Sequence, residues 1–109
     1  MPTTYKVLGQ SNPSATTATT LYTVPALTQT VVSTITICNQ AATQGTYRVA
    51  VRVAGAALAA NQYVAYDVSL PGNASDTLTL GLTLGATDVI TVYASSANFS
   101  FAAFGSEIS

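Results

Sequence analysis

The side chains able to do chemistry in this 109-residue chain are few. They are Asp67, Asp76, Asp88 and Glu107, the bases Lys6, Arg48 and Arg52, one thiol at Cys38 and six tyrosines, with no histidine. Two carboxylates held several ångströms apart around a cleft would make a glycosidase pair. No spacing here points to one, and Asp76 and Asp88 each stand just before a strand-like run, where Asp ordinarily caps a turn. A Ser–His–Asp triad lacks its base, and a Ser–Lys dyad would have to draw on Lys6, close to the start of the sequence. A single Cys without His does not make a zinc site. Calcium on Asp76 or Asp88 with backbone carbonyls is conceivable chemistry but has no signal. Gly81 and Gly85 lie among β-type residues rather than in a strand-to-helix phosphate loop. The expectation is therefore a non-enzymatic chain with no catalytic residue, no cofactor and no metal.

The remaining polar groups point to contact rather than reaction. Arg48 and Arg52 share the outward face of one strand. They read either as a clamp for carboxylates on a partner or as solvated charge paired with Asp67. Tyr5 and Lys6, in the N-terminal stretch, complete the candidate interface residues. The six tyrosines, Tyr5, Tyr22, Tyr47, Tyr63, Tyr66 and Tyr93, suit either core packing or stacking on a sugar. Three basic residues and a net charge of −1 do not make a phosphate-neutralising patch, so no nucleic-acid partner is expected.

Charged residues make up 6% of the sequence against an apolar fraction of 49%, where ordinary soluble domains carry roughly 25% charge. A soluble monomer normally guards its sheet edges with charge, Lys above all. The shortage implies that other subunits cover part of this surface, hence a homo-oligomer. No run approaches the ~20 apolar residues of a membrane helix, so no membrane partner is expected. Met1-Pro2-Thr3-Thr4-Tyr5-Lys6 shows no secretory pattern. A lone cysteine excludes an internal disulfide framework, and Cys38 in Thr34-Ile35-Thr36-Ile37-Cys38 reads as a small buried strand residue.

These residues must be positioned by strands. Seven short runs of β-type sequence are separated by turn residues. The cleanest is Thr46-Tyr47-Arg48-Val49-Ala50-Val51-Arg52-Val53, apolar and polar in strict alternation. Residues 21–24 form a run stopped by Pro25, and residues 30–38 form a long one. Residues 63–70 end at Pro71-Gly72-Asn73, with Val64, Tyr66, Val68 and Leu70 the more apolar set. Residues 76–84 alternate Leu78, Leu80, Leu82 and Leu84 against Thr and Gly. Residues 89–94 and 98–104 follow. Residues 54–61 read as a loop or one helical turn. The expected core is Ile35, Ile37, Tyr47, Val49, Val51, Val53, Leu78, Leu80, Leu82, Ile90, Val92, Phe99 and Phe101. This pattern argues for a small antiparallel sandwich or barrel.

Several of these stretches form an ordered series. Leu21-Tyr22-Thr23-Val24-Pro25-Ala26, Thr30-Val31-Val32-Ser33-Thr34-Ile35-Thr36-Ile37-Cys38-Asn39 and Tyr47-Arg48-Val49-Ala50-Val51 come first. Tyr63-Val64-Ala65-Tyr66-Asp67, Asp88-Val89-Ile90-Thr91-Val92-Tyr93-Ala94 and Phe104-Gly105-Ser106-Glu107 follow. The series resembles small virion structural proteins of tailed bacteriophages, cyanophage-type viruses included. The resemblance implies an all-β, immunoglobulin-like module assembled on a phage particle, without enzymatic activity. Its partners would be other copies of itself and a major virion protein of capsid or tail, and its location the virion, assembled in the bacterial host cytoplasm. A capsid decoration or cement protein is the leading expectation. The alternatives are a baseplate, tail or fibre component, or a carbohydrate- or receptor-binding module. The combined expectation for the fold is all-β, a single antiparallel β-sandwich, immunoglobulin-like or jelly-roll-like, of about seven to eight strands. Residues 1–20 would be an N-terminal arm or a first strand plus loop, and residues 21–109 the sandwich domain.

Overall fold

Alternating sequence becomes paired strand wherever a neighbour can take up its backbone hydrogen bonds. The computed structural model describes residues 2–109 and contains nine strands among them. They are β1 (Thr3–Ser11), β2 (Thr19–Thr23), β3 (Gln29–Asn39), β4 (Gly45–Arg52), β5 (Tyr63–Leu70), β6 (Ala74–Leu78), β7 (Leu82–Leu84), β8 (Val89–Ala94) and β9 (Phe99–Ile108). One sheet runs β1-β9-β3-β6, with β7 also on β3; the other runs β2-β8-β4-β5. All pairings are antiparallel. The expected all-β sandwich is therefore the fold.

Strand order chooses between the two topologies the sequence left open. In an immunoglobulin sandwich the first two strands lie side by side in one sheet. Here β1 and β2 lie in opposite sheets. Because β6 and β7 both pair with β3, they count as one interrupted strand. Apart from the β4–β5 hairpin, successive strands then alternate between the sheets, which is the jelly-roll order.

The core fills the space between the sheets. Ile35 and Ile37 of β3 and Phe99, Phe101 and Ala103 of β9 face Tyr47 and Val49 of β4 and Ile90, Val92 and Ala94 of β8. Three aromatic rings meet at its centre, with Tyr47 6.4 Å from Phe99 and 6.2 Å from Phe101 between centroids. Burying each such side chain stabilises the fold by about 1.5–3 kcal/mol. At one end, the Asn39 side chain is fully buried and ties the β3–β4 connection to the β5–β6 connection. Its Nδ2 donates towards the carbonyls of Thr43, Leu70 and Pro71 at 3.0, 3.1 and 3.3 Å, and its Oδ1 accepts from the Ala41 N–H.

The strands depart from the sequence expectation where the backbone breaks step. Val53 is 68% exposed rather than core, because β4 ends at Arg52 and Ala54 turns the chain at a φ of 53°. Leu80 is 48% exposed, because the 76–84 run is cut between β6 and β7, with Gly81 at a φ of 62°. Val51, Leu78 and Leu82 are half-buried against the core. In β5 the more apolar set is split between the faces: Val68 and Leu70 turn inwards together with Ala65, while Val64 and Tyr66 are exposed. Tyr47 pairs with Val68 but Val49 with Ala65, so Tyr66 and Asp67 together oppose Arg48 in a bulge that swaps the faces. Residues 53–62 contain two short 3-10 turns, Val53–Gly55 and Ala60–Gln62. Residues 1–20 do hold a first strand, and pairing with β9 carries it from Thr3 to Ser11.

Candidate interaction surfaces

Each charged side chain that the sequence singled out is engaged within the chain. Asp76 is directed inwards from β6 and accepts from the Tyr47 hydroxyl at 2.9 Å. Burial and then this carboxylate hold the Tyr47 phenol protonated well above its ordinary range. Asp88 caps its turn, with Oδ2 accepting from the Gly85 N–H and Oδ1 from the Ala54 N–H, both at 2.9 Å. Glu107 accepts from the Tyr22 hydroxyl at 2.5 Å and from Lys6 Nζ at 3.2 Å. The Tyr22 bond, and then Lys6, hold Glu107 below the usual carboxylate range. Tyr22 itself is pushed up to about 12, first by burial and then by Glu107. Asp67 pairs with Arg48. The four carboxylates thus serve four separate structural tasks. Among the described residues no group of three or more His, Cys, Asp and Glu comes together.

Arg48 and Arg52 both stand on the outer face of the β2-β8-β4-β5 sheet, with different neighbours. Arg48 donates from Nε and Nη2 to the two oxygens of Asp67, at 2.6 and 3.3 Å. Its guanidinium lies 4.3 Å from the ring centroids of both Tyr66 and Tyr93. The planar fork allows both interactions at once. Asp67 sits at a φ of 49°, a left-handed conformation that the bulge demands and Asp tolerates better than most residues. Tyr63 meets Tyr66 edge-to-face at 4.8 Å, and these rings with Leu58, Ala59 and Ala60 line a groove of about 590 Å³. Arg52 instead binds the carbonyls of Gly55 and Ala56, at 2.9 and 2.7 Å, and pins the 53–62 connection to the sheet.

The outer face of the other sheet has the opposite character. Register places Ile35 and Ile37 inwards, so Thr34, Thr36 and Cys38 of β3 face out. Ser100, Ala102 and Phe104 of β9, Ser75 and Thr77 of β6, and Tyr5 and Val7 of β1 share that side. Among the described residues no charged side chain lies on it. Asp76 is opposite Ile37 and Glu107 opposite Thr30, both on the inward side, and Lys6 reaches Glu107 from there. Cys38 is accordingly half-buried and outward rather than a core residue. Of the candidate pair in the N-terminal stretch, Tyr5 is 83% exposed on this face and Lys6 forms the ion pair with Glu107.

Sequence reasoning found Arg48, Asp67 and Tyr5 individually but missed the Tyr66–Arg48–Tyr93 stack. Alternation groups Tyr66 with the more apolar set of residues 63–70, and only the bulge sets it beside Arg48. The uncharged sheet face was legible only as a low overall charge, since which face each strand turns outwards depends on pairing. Comparison with known proteins finds no matching family model, no matching curated protein and no matching solved structure.

Proposed function

We propose that this chain is a non-enzymatic structural protein that works by packing against other protein subunits, in the setting of a tailed-phage virion. The observation that carries the reading is the uncharged outer face of the five-stranded sheet. It offers hydroxyls and apolar groups where a freely soluble domain of this size carries interspersed charge. Such a face loses little on leaving water beside a similar surface, because no ion is stripped of its hydration. Capsid decoration or cement is the leading role. Repetition at symmetric positions would turn modest contacts into firm attachment. Jelly rolls recur in viral capsid domains, a fold-level analogy that supports the reading. A baseplate, tail or fibre role rests on the same surface.

The test is light scattering and co-sedimentation of the purified chain with heads and with tails of a cyanophage-type particle. Binding to heads supports cement or decoration, and binding to tails alone moves the role there. Binding to neither removes the virion reading. A second reading, a saccharide-binding module, is favoured by one feature, the pair of half-buried Tyr63 and exposed Tyr66 beside the 590 Å³ groove. A glycan array without binding removes it.

A further inference from the structure

Three of the four sheet edges are obstructed. β5 carries register breaks on both sides of Val49, β2 is five residues long and breaks register before Tyr22, and the β6–β7 edge is interrupted at Gly81. Such features blunt a sheet edge against further pairing. β1 differs. Its second half lies close to β2, where a Cβ on Gly9 would collide with the Leu21 carbonyl. Its first half, Thr3 to Val7, has five exposed residues in unbroken register with β9.

The direction of the free backbone groups follows from one bond. The Ser109 N–H donates to the Pro2 carbonyl, so Pro2 faces β9. In an antiparallel ladder the facing alternates along the strand. Thr4 and Lys6 therefore also face β9, and Thr3, Tyr5 and Val7 each present one N–H and one C=O outwards, six groups in all.

We infer that two copies of this chain pair β1 against β1 about a two-fold axis at Tyr5, joining their five-stranded sheets into one continuous sheet. The inference rests on reading the chain as a protein that functions through subunit contacts. Centring on Tyr5 sets Tyr5 against its symmetry mate and Thr3 against Val7, so all six outward groups are satisfied. Centring on Lys6 would satisfy only the groups of Tyr5 and Val7 and would place two lysines directly opposite each other, which is unfavourable. Centring on Thr4 would carry Val7 past the described residues of its mate. In the Tyr5 register Lys6 instead faces the mate's Thr4, with Glu107 of its own chain 3.2 Å away. The uncharged outer faces become continuous, with Tyr5 and Val7 at the seam. The strand's own sequence thus selects a second copy over a foreign strand.

Cysteine cross-linking in a Cys38→Ser background tests the register. A hydrogen-bonded antiparallel pair has Cα atoms about 5.5 Å apart, within disulfide range of roughly 4.4–6.8 Å. Tyr5→Cys should cross-link two copies to near completion under mild oxidation. Lys6→Cys should not, since its mate would lie roughly 8 Å away, two residues along the ladder. Light scattering of the unsubstituted chain should give a doubled mass, and Tyr5→Pro, which removes an outward N–H, should return it to a monomer with unchanged far-ultraviolet circular dichroism. A monomeric unsubstituted chain overturns the inference, as does cross-linking equal at both positions or absent at Tyr5→Cys. If Tyr5→Pro unfolds, amide exchange decides: Tyr5 and Val7 must gain protection with concentration while Thr4 and Lys6 stay protected throughout. A monomer that still binds particles would sink the pairing alone; a dimer that binds none would sink the virion role alone.

Discussion

The Tyr47 hydroxyl, on β4, donates to Asp76 Oδ2, on β6, at 2.9 Å, so the most buried aromatic side chain of one sheet is tied to a carboxylate of the other. The phenol supplies packing through its ring, which touches the rings of Phe99 and Phe101, and registry between the sheets through its oxygen. A hydrogen bond to a charged acceptor contributes about 1.5–3 kcal/mol. Tyr47→Phe keeps the ring and should lose about 2 kcal/mol in urea denaturation. A loss below about 0.5 kcal/mol would show that water replaces the bond at no cost.

A second cross-sheet bond makes stability depend on pH at both extremes. Glu107, held low by Tyr22 and Lys6, binds protons less readily folded than unfolded. Its contribution is present above the unfolded carboxylate range and is lost as pH falls through the depressed folded value. Tyr22 runs the other way. Its folded value of about 12 exceeds the ordinary phenol value of 10.0, so its contribution is complete below pH 10 and disappears as pH rises from 10 to about 12. Glu107→Gln should flatten the acid limb of a stability profile, and Tyr22→Phe should weaken the alkaline limb while Tyr47 continues to contribute there. Unchanged limbs in both variants would place the titrating groups elsewhere.

Asn39 ties the connections at one end of the sandwich. Asn39→Ala leaves the Leu70 and Pro71 carbonyls without their side-chain donor and removes an acceptor from Ala41 N–H. Each buried polar group left unmet costs about 1–3 kcal/mol, so a loss of roughly 3 kcal/mol is expected. Asn39→Asp should lose comparably despite its matching shape, because it sets an anion against carbonyl oxygens. Calorimetric melting of the two variants checks this, and an Asp variant as stable as the parent would count against the donor role.

The parts of the fold that follow from alternation alone were legible in the sequence. β3, β8 and most of β4 follow the two-residue period, and their inward residues Ile35, Ile37, Ile90, Val92, Tyr47 and Val49 are buried as that period requires. The parts that depend on a neighbouring strand were not. β1 has a weak pattern and owes its length to β9. Leu80 has a perfect pattern yet sits outside, because β3 is met by two short strands rather than one long one. The candidate surfaces fall in this second class. A bulge decides that Tyr66 points outwards to Arg48, and no local propensity in Tyr63-Val64-Ala65-Tyr66-Asp67 announces it.

That bulge yields the sharpest local test. Asp67 occupies a φ of 49°, a conformation in which a Cβ costs about 1–2 kcal/mol in most residues and nothing in Gly. Its ion pair with Arg48 is partly solvent-exposed, with side chains 23% and 45% accessible, and exposed pairs contribute about 0.2–1 kcal/mol. Backbone strain therefore outweighs the charge. Asp67→Gly should be close to neutral, while Asp67→Ala, which loses the pair and keeps the Cβ, should cost about 1–2 kcal/mol. Arg48→Lys should also destabilise the chain, since an ammonium cannot both fork onto Asp67 and lie flat between Tyr66 and Tyr93. Combining Arg48→Lys with Asp67→Gly isolates the stack from the ion pair. If the Lys variant loses stability equally in both backgrounds, the stacking carries the effect; if the loss vanishes beside Asp67→Gly, the ion pair does, and the aromatic rings are bystanders.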